Sequence, residues 1–397
     1  MNDINELLTR GVDTIYPKKE ELETVLKSGK KLRVYQGFDP TSPELHIGHL
    51  VGLRKLKQWQ NLGHEVIFLI GDFTGMIGDP TGKDETRKVL TEEQVLENAK
   101  TYKEQASKIL RFDGENPVLI KYNSEWLSKL SAIEAIQLSR NLSLQQVMER
   151  DMFQRRLKTN MDIALSEFFY PFMQGYDSVA MDVDVEVGGT DQMFNMLMGR
   201  KLMRNIKKKE KFVMTTPILE DSEGKKIGKT EGNVIAFNDK PEDFYRKIMA
   251  LGDGVIAKGL EYLTDVPMEE IEEIKNKLES GENPINFKKK LAFEITKQLN
   301  GDSQAEEAAR EFEKTVQHKE TPEHIELYTF DVPELSLVDI LTHSKLVSSN
   351  SEAKRLFEQG GVSLDDEVVK DPNINIKLDK EHLLKIGKKK FLRIINR

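Results

Sequence analysis

Apolar residues recur along this chain with two different periods. From residue 46 to 62 the spacing is helical: Leu50, Leu53, Leu56 and Trp59 share a face, and Gly63 follows where helices end. Before it, Leu32 to Phe38 alternates as a strand does, with Val34, Gln36 and Phe38 against Tyr35 and Gly37. After it, Val66-Ile67-Phe68-Leu69-Ile70 is an unbroken apolar run with β-branched members, suited to a parallel strand covered on both faces. Strand, helix and strand within about forty residues predict a βαβ unit and a doubly wound parallel sheet. No Gly-x-Gly-x-x-Gly joins the first strand to its helix, which excludes the dinucleotide-binding version.

The flanking segments fill in an α/β domain. Residues 3–29 read as two helices broken at Tyr16-Pro17. Residues 90–110 are helical in pattern, Val118-Leu119-Ile120 is a short strand, and helices continue to about Met181. One of these carries Tyr170, Gln174 and Asp177 at spacings of four and three, a polar stripe on an otherwise apolar helix. Exposed helix faces in this chain are rich in Lys and Glu, whereas only Glu167 near the stripe is charged, so the stripe suits a polar ligand in a pocket. Pro171 implies a kink or a late helix start. Val185-Glu186-Val187 runs into Gly188-Gly189-Thr190-Asp191-Gln192, a strand ending in a glycine turn with polar groups at its tip. Residues 224–233 form a loop with three lysines and three glycines, mobile by composition.

Beyond residue 240 the character changes. Residues 240–320 are helical throughout, and 321–333 reads as a linker. The tail opens with a helix near Leu337–Leu341. A second helix starts at the Ser349-x-x-Glu352 box and stops at Gly360-Gly361. A hairpin over 362–369 and a basic strand over 388–394 complete it. The expected domains are 1–235, 236–325 and 334–397.

Composition narrows the function classes. At 397 residues, 38% apolar and 32% charged, the chain is a globular protein of two or three domains. No run is apolar enough to span a bilayer, and the first residues carry acids without a signal core. Cysteine is absent, which removes disulfides and thiolate metal sites and suits a reducing cytoplasm. The net charge of −8 is uneven: from Leu335 onward 12 Lys+Arg face 9 Asp+Glu. Any nucleic acid is therefore expected on local basic patches.

The candidate chemistry starts at His46-Ile47-Gly48-His49. A strand feeding a helix start aims backbone N–H groups and the positive end of a dipole at a ligand, and the two imidazoles lie on one side of the first turn. That arrangement suits a polyphosphate. A zinc site would need a third ligand, and the other five histidines are scattered singly. The loop Gly71 to Lys83 resembles a P-loop only superficially, since three residues separate Gly78 from Gly82 and Asp84 stands where Ser or Thr would hold magnesium. Its Lys83, with Arg87 behind, still lies within reach of phosphates.

Taken together and in this order, the motifs resemble the class I aminoacyl-tRNA synthetases. His46-Ile47-Gly48-His49 is similar to the first signature of that class. Lys226-Ile227-Gly228-Lys229-Thr230 is similar to the second, with glycine where the class pattern has serine. Tyr35-x-Gly37-Phe38-Asp39-Pro40-Thr41, Gly78-Asp79-Pro80 with Lys83 and Arg87, Asn123, the Tyr170/Gln174/Asp177 stripe and Gly188–Gln192 resemble the bacterial tyrosyl branch. The tail resembles a small RNA-binding fold named after a ribosomal protein.

That resemblance implies a Rossmann-like catalytic domain, a helical anticodon-recognition domain and an RNA-binding domain. It implies two steps: L-tyrosine and ATP, the latter carrying its own Mg2+, give tyrosyl-adenylate and pyrophosphate, and tyrosine then passes to tRNA(Tyr). It implies no protein-bound metal and a homodimer. The attacking carboxylate is already ionised, so positioning and charge stabilisation are needed rather than a general base. The implied catalytic residues are Thr41, His46, His49, Lys226, Lys229 and Thr230. ATP would also meet Gly37, Asp39, Gly189, Asp191 and Gln192, with Lys83 and Arg87 at the pyrophosphate or tRNA end. Tyr35 and Asp177 would flank the phenol oxygen, Tyr170 and Gln174 would hold the ammonium, and Asp79 and Asn123 would stand nearby. The sister branch, tryptophanyl-tRNA synthetase, is the alternative; it normally lacks the Phe38-Asp39-Pro40-Thr41 run and the basic tail.

Overall fold

A computed structural model describes residues 2–81, 90–141, 143–220, 226–227, 234–317, 325–344, 346–347, 349–365, 367–387 and 390–396. The chain forms two compact units, Met1–Glu306 and Glu307–Arg397.

The first unit is built on six strands: β1 (Thr14–Tyr16), β2 (Arg33–Phe38), β3 (Glu65–Ile70), β4 (Leu119–Tyr122), β5 (Val185–Gly189) and β6 (Phe212–Thr216). Their order across the sheet is β1-β6-β5-β2-β3-β4. β2 pairs in parallel with both β3 and β5, β4 extends the sheet beyond β3, and β6 beyond β5. β1 departs from the expected all-parallel sheet. It runs antiparallel along the edge, with Ile15 opposite Met214, in a segment read only as a break between helices. Three residues are too few to show a period, and the pairing partner lies some two hundred positions away.

The helix Ile47–Asn61 crosses from β2 to β3. Leu50, Leu53, Leu56 and Trp59 are buried as their spacing predicts, yet Arg54 and Lys55 are buried too. Arg54 donates to the Thr264 carbonyl, to Asp265 Oδ1 (2.7 Å) and to the Gln298 side chain. Lys55 Nζ donates to the carbonyls of Leu7 (3.0 Å) and Arg10 (2.7 Å) and to Gln58 Oε1 (2.6 Å). The helix is thus covered on both sides, which its pattern of charges conceals. The helices Pro241–Met249, Ile256–Leu263, Met268–Glu279 and Ile285–Asn300 belong to this same unit.

The helix Tyr170–Met181 follows a 3₁₀ turn at Leu165–Phe168, so Pro171 falls in its first turn, where no helical N–H is lost. It lies against the helix Met193–Leu202 at two glycines. A Cβ on Gly175 would stand 3.2 Å from the backbone nitrogen of Gly199, and one on Gly199 would stand 2.7 Å from Ser178 Oγ.

In the second unit, strand Leu327–Phe330 falls within the stretch read as a linker. It pairs in parallel with Lys390–Asn396, at the edge of a five-stranded sheet. Ser349 Oγ accepts from Glu352 N (3.2 Å) at the start of helix Asn350–Glu358. Leu337, Leu341, Phe357, Leu384 and Ile394 centre this unit's core. Among the described residues, no helix is long and apolar enough to cross a membrane.

Candidate active site

The strand order reverses at β2, whose neighbours lead the chain to opposite sides. Loops leaving such strands diverge and leave a crevice above their carboxyl ends. A cavity of about 530 Å³ occupies it, lined by Tyr35, Gly37, Asp39, Thr41, His46, His49, Asp79, Asn123, Tyr170, Gln174, Asp177, Gly189, Asp191, Gln192 and Lys226. Lys83, Arg87, Lys229 and Thr230 lie outside the described residues.

At one wall His46 is the N-cap of helix Ile47–Asn61. Its Nδ1 accepts from Gly48 N (3.2 Å), and His49 Nδ1 accepts from His46 N (3.1 Å), a reciprocal box made by two imidazoles. The rings stack with centroids 3.9 Å apart. Gly48 leaves room for the His46 ring, since a Cβ there would stand 3.0 Å from His46 Cε1 and the ring would have to shift. A ring nitrogen that accepts a backbone N–H carries no hydrogen, so the neutral rings hold theirs on Nε2. This corrects the expectation of open helix amides. Ile47 N donates to the Ile235 carbonyl (3.0 Å), Gly48 N to His46 Nδ1, and His49 N to the His46 carbonyl (2.8 Å). The first turn offers imidazole N–H groups where backbone N–H groups were expected.

The opposite end of the cavity is a buried polar cluster. Asp177, 2% exposed, accepts from Trp126 Nε1 (2.7 Å) and Asn123 Nδ2 (3.3 Å). Burial pushes its carboxyl well above the usual range, against those two hydrogen bonds, while the Glu186 and Asp39 charges add to the rise. Burial likewise raises the Tyr35 hydroxyl, and the Glu186 and Asp177 carboxylates raise it further, so it remains a donor at neutral pH. Gln174 donates from Nε2 to Glu186 Oε1 (3.0 Å), and its own Oε1 is buried without a protein hydrogen-bond partner. An amide oxygen so placed suits an ammonium group.

Two carboxylates join these ends. Asp39 accepts from the hydroxyls of Tyr170 (2.7 Å) and Thr74 (2.7 Å). Asp79 accepts from Gln192 Nε2 (2.7 Å) and Thr81 N (3.0 Å). Burial and the charges of Asp39 and Asp79 hold the Tyr170 hydroxyl well above its ordinary value. Of the lysine loop, Lys226 reaches Asp191 Oδ2 at 2.8 Å. The chain comes back to the site at Ala236, which bridges to His46, while Phe237 N donates to the Leu45 carbonyl (2.9 Å). Lys226 and, through its bridge to His46, Ala236 therefore both border the cavity. Among the described residues, no group of three or more His, Asp or Glu is arranged to hold a metal ion.

Sequence reasoning missed Ser178, Glu186, Lys211, Trp126 and Thr74, all bonded to residues of the cavity wall. Glu186 carried a readable signal, a charge in the middle of an apolar strand. Lys211 did not, because it ends a run of solvated charges. Glu167, the one charge counted near the stripe, is buried in a bidentate pair with Arg156 (2.6 and 2.9 Å).

The family described as tRNA synthetases class I (W and Y) matches residues 27–317, and the S4 domain family matches residues 336–381. The chain is 46% identical over 391 residues to the tyrosine--tRNA ligase of Thermotoga maritima, covering 98% of this chain and 96% of that one. It is 47% identical to that of Carboxydothermus hydrogenoformans, covering 98% and 97%. The crystal structure of a C-terminally truncated mitochondrial tyrosyl-tRNA synthetase from Coccidioides posadasii is similar with a TM-score of 0.64 and 26% identity, over 78% of this chain and 91% of that one.

Proposed function

Because the chain belongs to the class I tRNA synthetases of the tryptophan and tyrosine group, we propose that it attaches tyrosine, not tryptophan, to tRNA through an enzyme-bound tyrosyl-adenylate. The observation that carries this is one cavity with imidazole donors at one end and a buried acceptor–hydroxyl pair, Asp177 and Tyr35, at the other. Full-length similarity to tyrosine ligases supports the amino-acid choice.

In this reading, tyrosine enters with its phenol between Tyr35 and Asp177. Its ammonium meets Gln174 Oε1 and Tyr170, with Asp79 and Asn123 beside it. ATP lies along Gly37, Asp39, Gly189, Asp191 and Gln192. Its phosphates, with their Mg2+, face Thr41, His46 and His49. The ionised α-carboxylate attacks the α-phosphorus and pyrophosphate leaves. Charge that builds on the departing group is met by the Nε2–H groups of His46 and His49 and by Lys226, Lys229 and Thr230, with Lys83 and Arg87 at the pyrophosphate or tRNA end.

Residues 236–325 would read the anticodon and 334–397 would grip tRNA(Tyr). The absence of cysteine fits a cytoplasmic enzyme. The same family reading implies a homodimer.

ATP–pyrophosphate exchange with each amino acid in turn tests the reading. Exchange with tyrosine and none with tryptophan is expected. Exchange driven by tryptophan, or by no amino acid, would overturn it.

A further inference from the structure

Behind the phenol end of the cavity lies a buried ion pair that adenylate formation does not itself require. Lys211, fully buried just before β6, donates to Glu186 Oε2 on β5 and to Ser178 Oγ at 2.9 Å. Ser178 Oγ stands 2.9 Å from Tyr35 Oη and 3.4 Å from Glu186 Oε2. The Lys211 ammonium is 5.9 Å from the centre of the Tyr35 ring. Burying two charges is costly even when they meet, and an apolar pair of similar size would fill the same space without that cost. The pair therefore calls for a purpose beyond packing.

We propose that Lys211, acting through Ser178, turns the Tyr35 hydroxyl hydrogen toward the substrate, which makes Lys211 and Ser178 positioning residues for recognition of the tyrosine phenol. The proposal rests on the reading of Tyr35 and Asp177 as the phenol-binding pair.

A hydroxyl flanked by several oxygens can point its hydrogen either way, and the local field decides. Lys211 directs a hydrogen onto Ser178 Oγ, so Ser178 turns its own hydrogen elsewhere. Ser178 Oγ has two acceptors: Glu186 Oε2, to which it donates at 3.4 Å and which already takes the Lys211 ammonium, and Tyr35 Oη, which stands 0.5 Å nearer and takes the larger share. Tyr35 then accepts from Ser178 and aims its own hydrogen into the cavity, away from the buried cation and toward the wall that holds Asp177. The dipoles run head to tail from the Lys211 ammonium, through Ser178 and Tyr35, to the phenol oxygen, whose hydrogen goes on to Asp177. Phenylalanine breaks this chain at its last link and leaves an aimed donor and an aimed acceptor unpaired. Glu186 applies the same logic to Gln174: by taking its NH₂ group it leaves the amide oxygen as the face open to an ammonium.

Two variants test the proposal. Ser178→Ala cuts the link and leaves the ion pair intact. Lys211→Met combined with Glu186→Gln removes both charges together, so no lone buried charge is left to unfold the chain. ATP–pyrophosphate exchange would be measured for each with tyrosine and with phenylalanine separately. The expected result is a fall of about tenfold in kcat/KM for tyrosine, the size of one hydrogen bond, expressed mainly in KM. In Ser178→Ala, which leaves Glu186 on Gln174, the value for phenylalanine should hold; in the double variant any change at Gln174 falls on both amino acids alike, so in each the preference for tyrosine falls about tenfold. A native preference in both variants would overturn the proposal, as would equal losses for the two amino acids, which signal loosening of the site. Tyr35→Phe separates the two levels of inference: a native preference in that variant would sink the phenol assignment and the proposal with it.

Discussion

A single side chain here often does two jobs on different atoms, and His46 shows how they can be separated. Its Nδ1 closes the first turn of a helix by accepting from Gly48 N, while in the proposed reading its Nε2 carries the hydrogen offered to phosphate. Asparagine places an acceptor oxygen close to the Nδ1 position and nothing at the Nε2 position; alanine supplies neither. His46→Asn and His46→Ala are therefore expected to lower the rate of tyrosine activation alike, by about 10²–10³-fold for one lost donor to developing charge. Only His46→Ala should lose the cap, at a cost of about 0.5–2 kcal/mol in urea unfolding. Equal stability of the two variants would contradict the cap assignment. The same division marks what was legible in the sequence. Residues that point into the cavity announced themselves by type and spacing: His46 and His49 three apart, Tyr170, Gln174 and Asp177 on one stripe. Residues that orient them did not. Ser178 reads as an ordinary small residue within an apolar helix, and Lys211 hides behind the charged run Lys207-Lys208-Lys209-Glu210. Their meaning comes from a register between β5 and β6 that no local pattern encodes.

At the scale of elements, the positions of the two sides of the site depend on how closely helices Tyr170–Met181 and Met193–Leu202 approach. Gly175 and Gly199 face each other at that crossing, and the space that Gly199 leaves open is filled by Lys211 Nζ and Ser178 Oγ. A methyl group there would stand 2.5 Å from Lys211 Nζ, so either the lysine or the helix must give way. The lysine cannot swing out, because it is enclosed and bonded to Glu186. Gly199→Ala should therefore destabilise the protein by about 1–3 kcal/mol, the usual cost of overpacking, against the small gain that alanine brings inside an exposed helix. Urea unfolding of the variant measures this, and a stability equal to or above the native value would show that the helices have room to separate. Elements were legible in proportion to their length. The βαβ unit was readable because its helix and buried strand each repeat a pattern several times. The edge strand Thr14–Tyr16 was not, nor was Leu327–Phe330, since a short strand is defined by its partner rather than by its own residues. The burial of Arg54 and Lys55 on helix Ile47–Asn61 is likewise set by partners outside the helix: the distant Thr264 and Asp265 and the N-terminal segment supply the acceptors that let them be buried.

At the scale of the whole molecule, the chemistry of the cavity is confined to one of two units. Every described residue of the cavity lies within Met1–Glu306. The core of the second unit, from Phe330 to Ile394, is drawn entirely from its own residues. The basic excess is confined to the tail: from Leu335 onward 12 Lys+Arg face 9 Asp+Glu, whereas Glu307–Arg397 as a whole carries 15 against 17 and the rest of the chain is acidic as well. An acidic surface repels RNA, and binding that depends on phosphate contacts weakens steeply with salt. Formation of the adenylate needs only the cavity, whereas transfer needs a bound tRNA. Ending the chain after Gln317, which leaves helix Asp302–Phe312 whole, should keep tyrosine-dependent ATP–pyrophosphate exchange close to its native rate and remove most charging of tRNA. In the full chain, added potassium chloride should raise KM for tRNA sharply and leave the exchange reaction nearly unmoved. Parallel loss of exchange and charging on truncation would mean that the second unit supports the cavity itself. Equal salt sensitivity of the two reactions would mean that tRNA is not held chiefly through its phosphates.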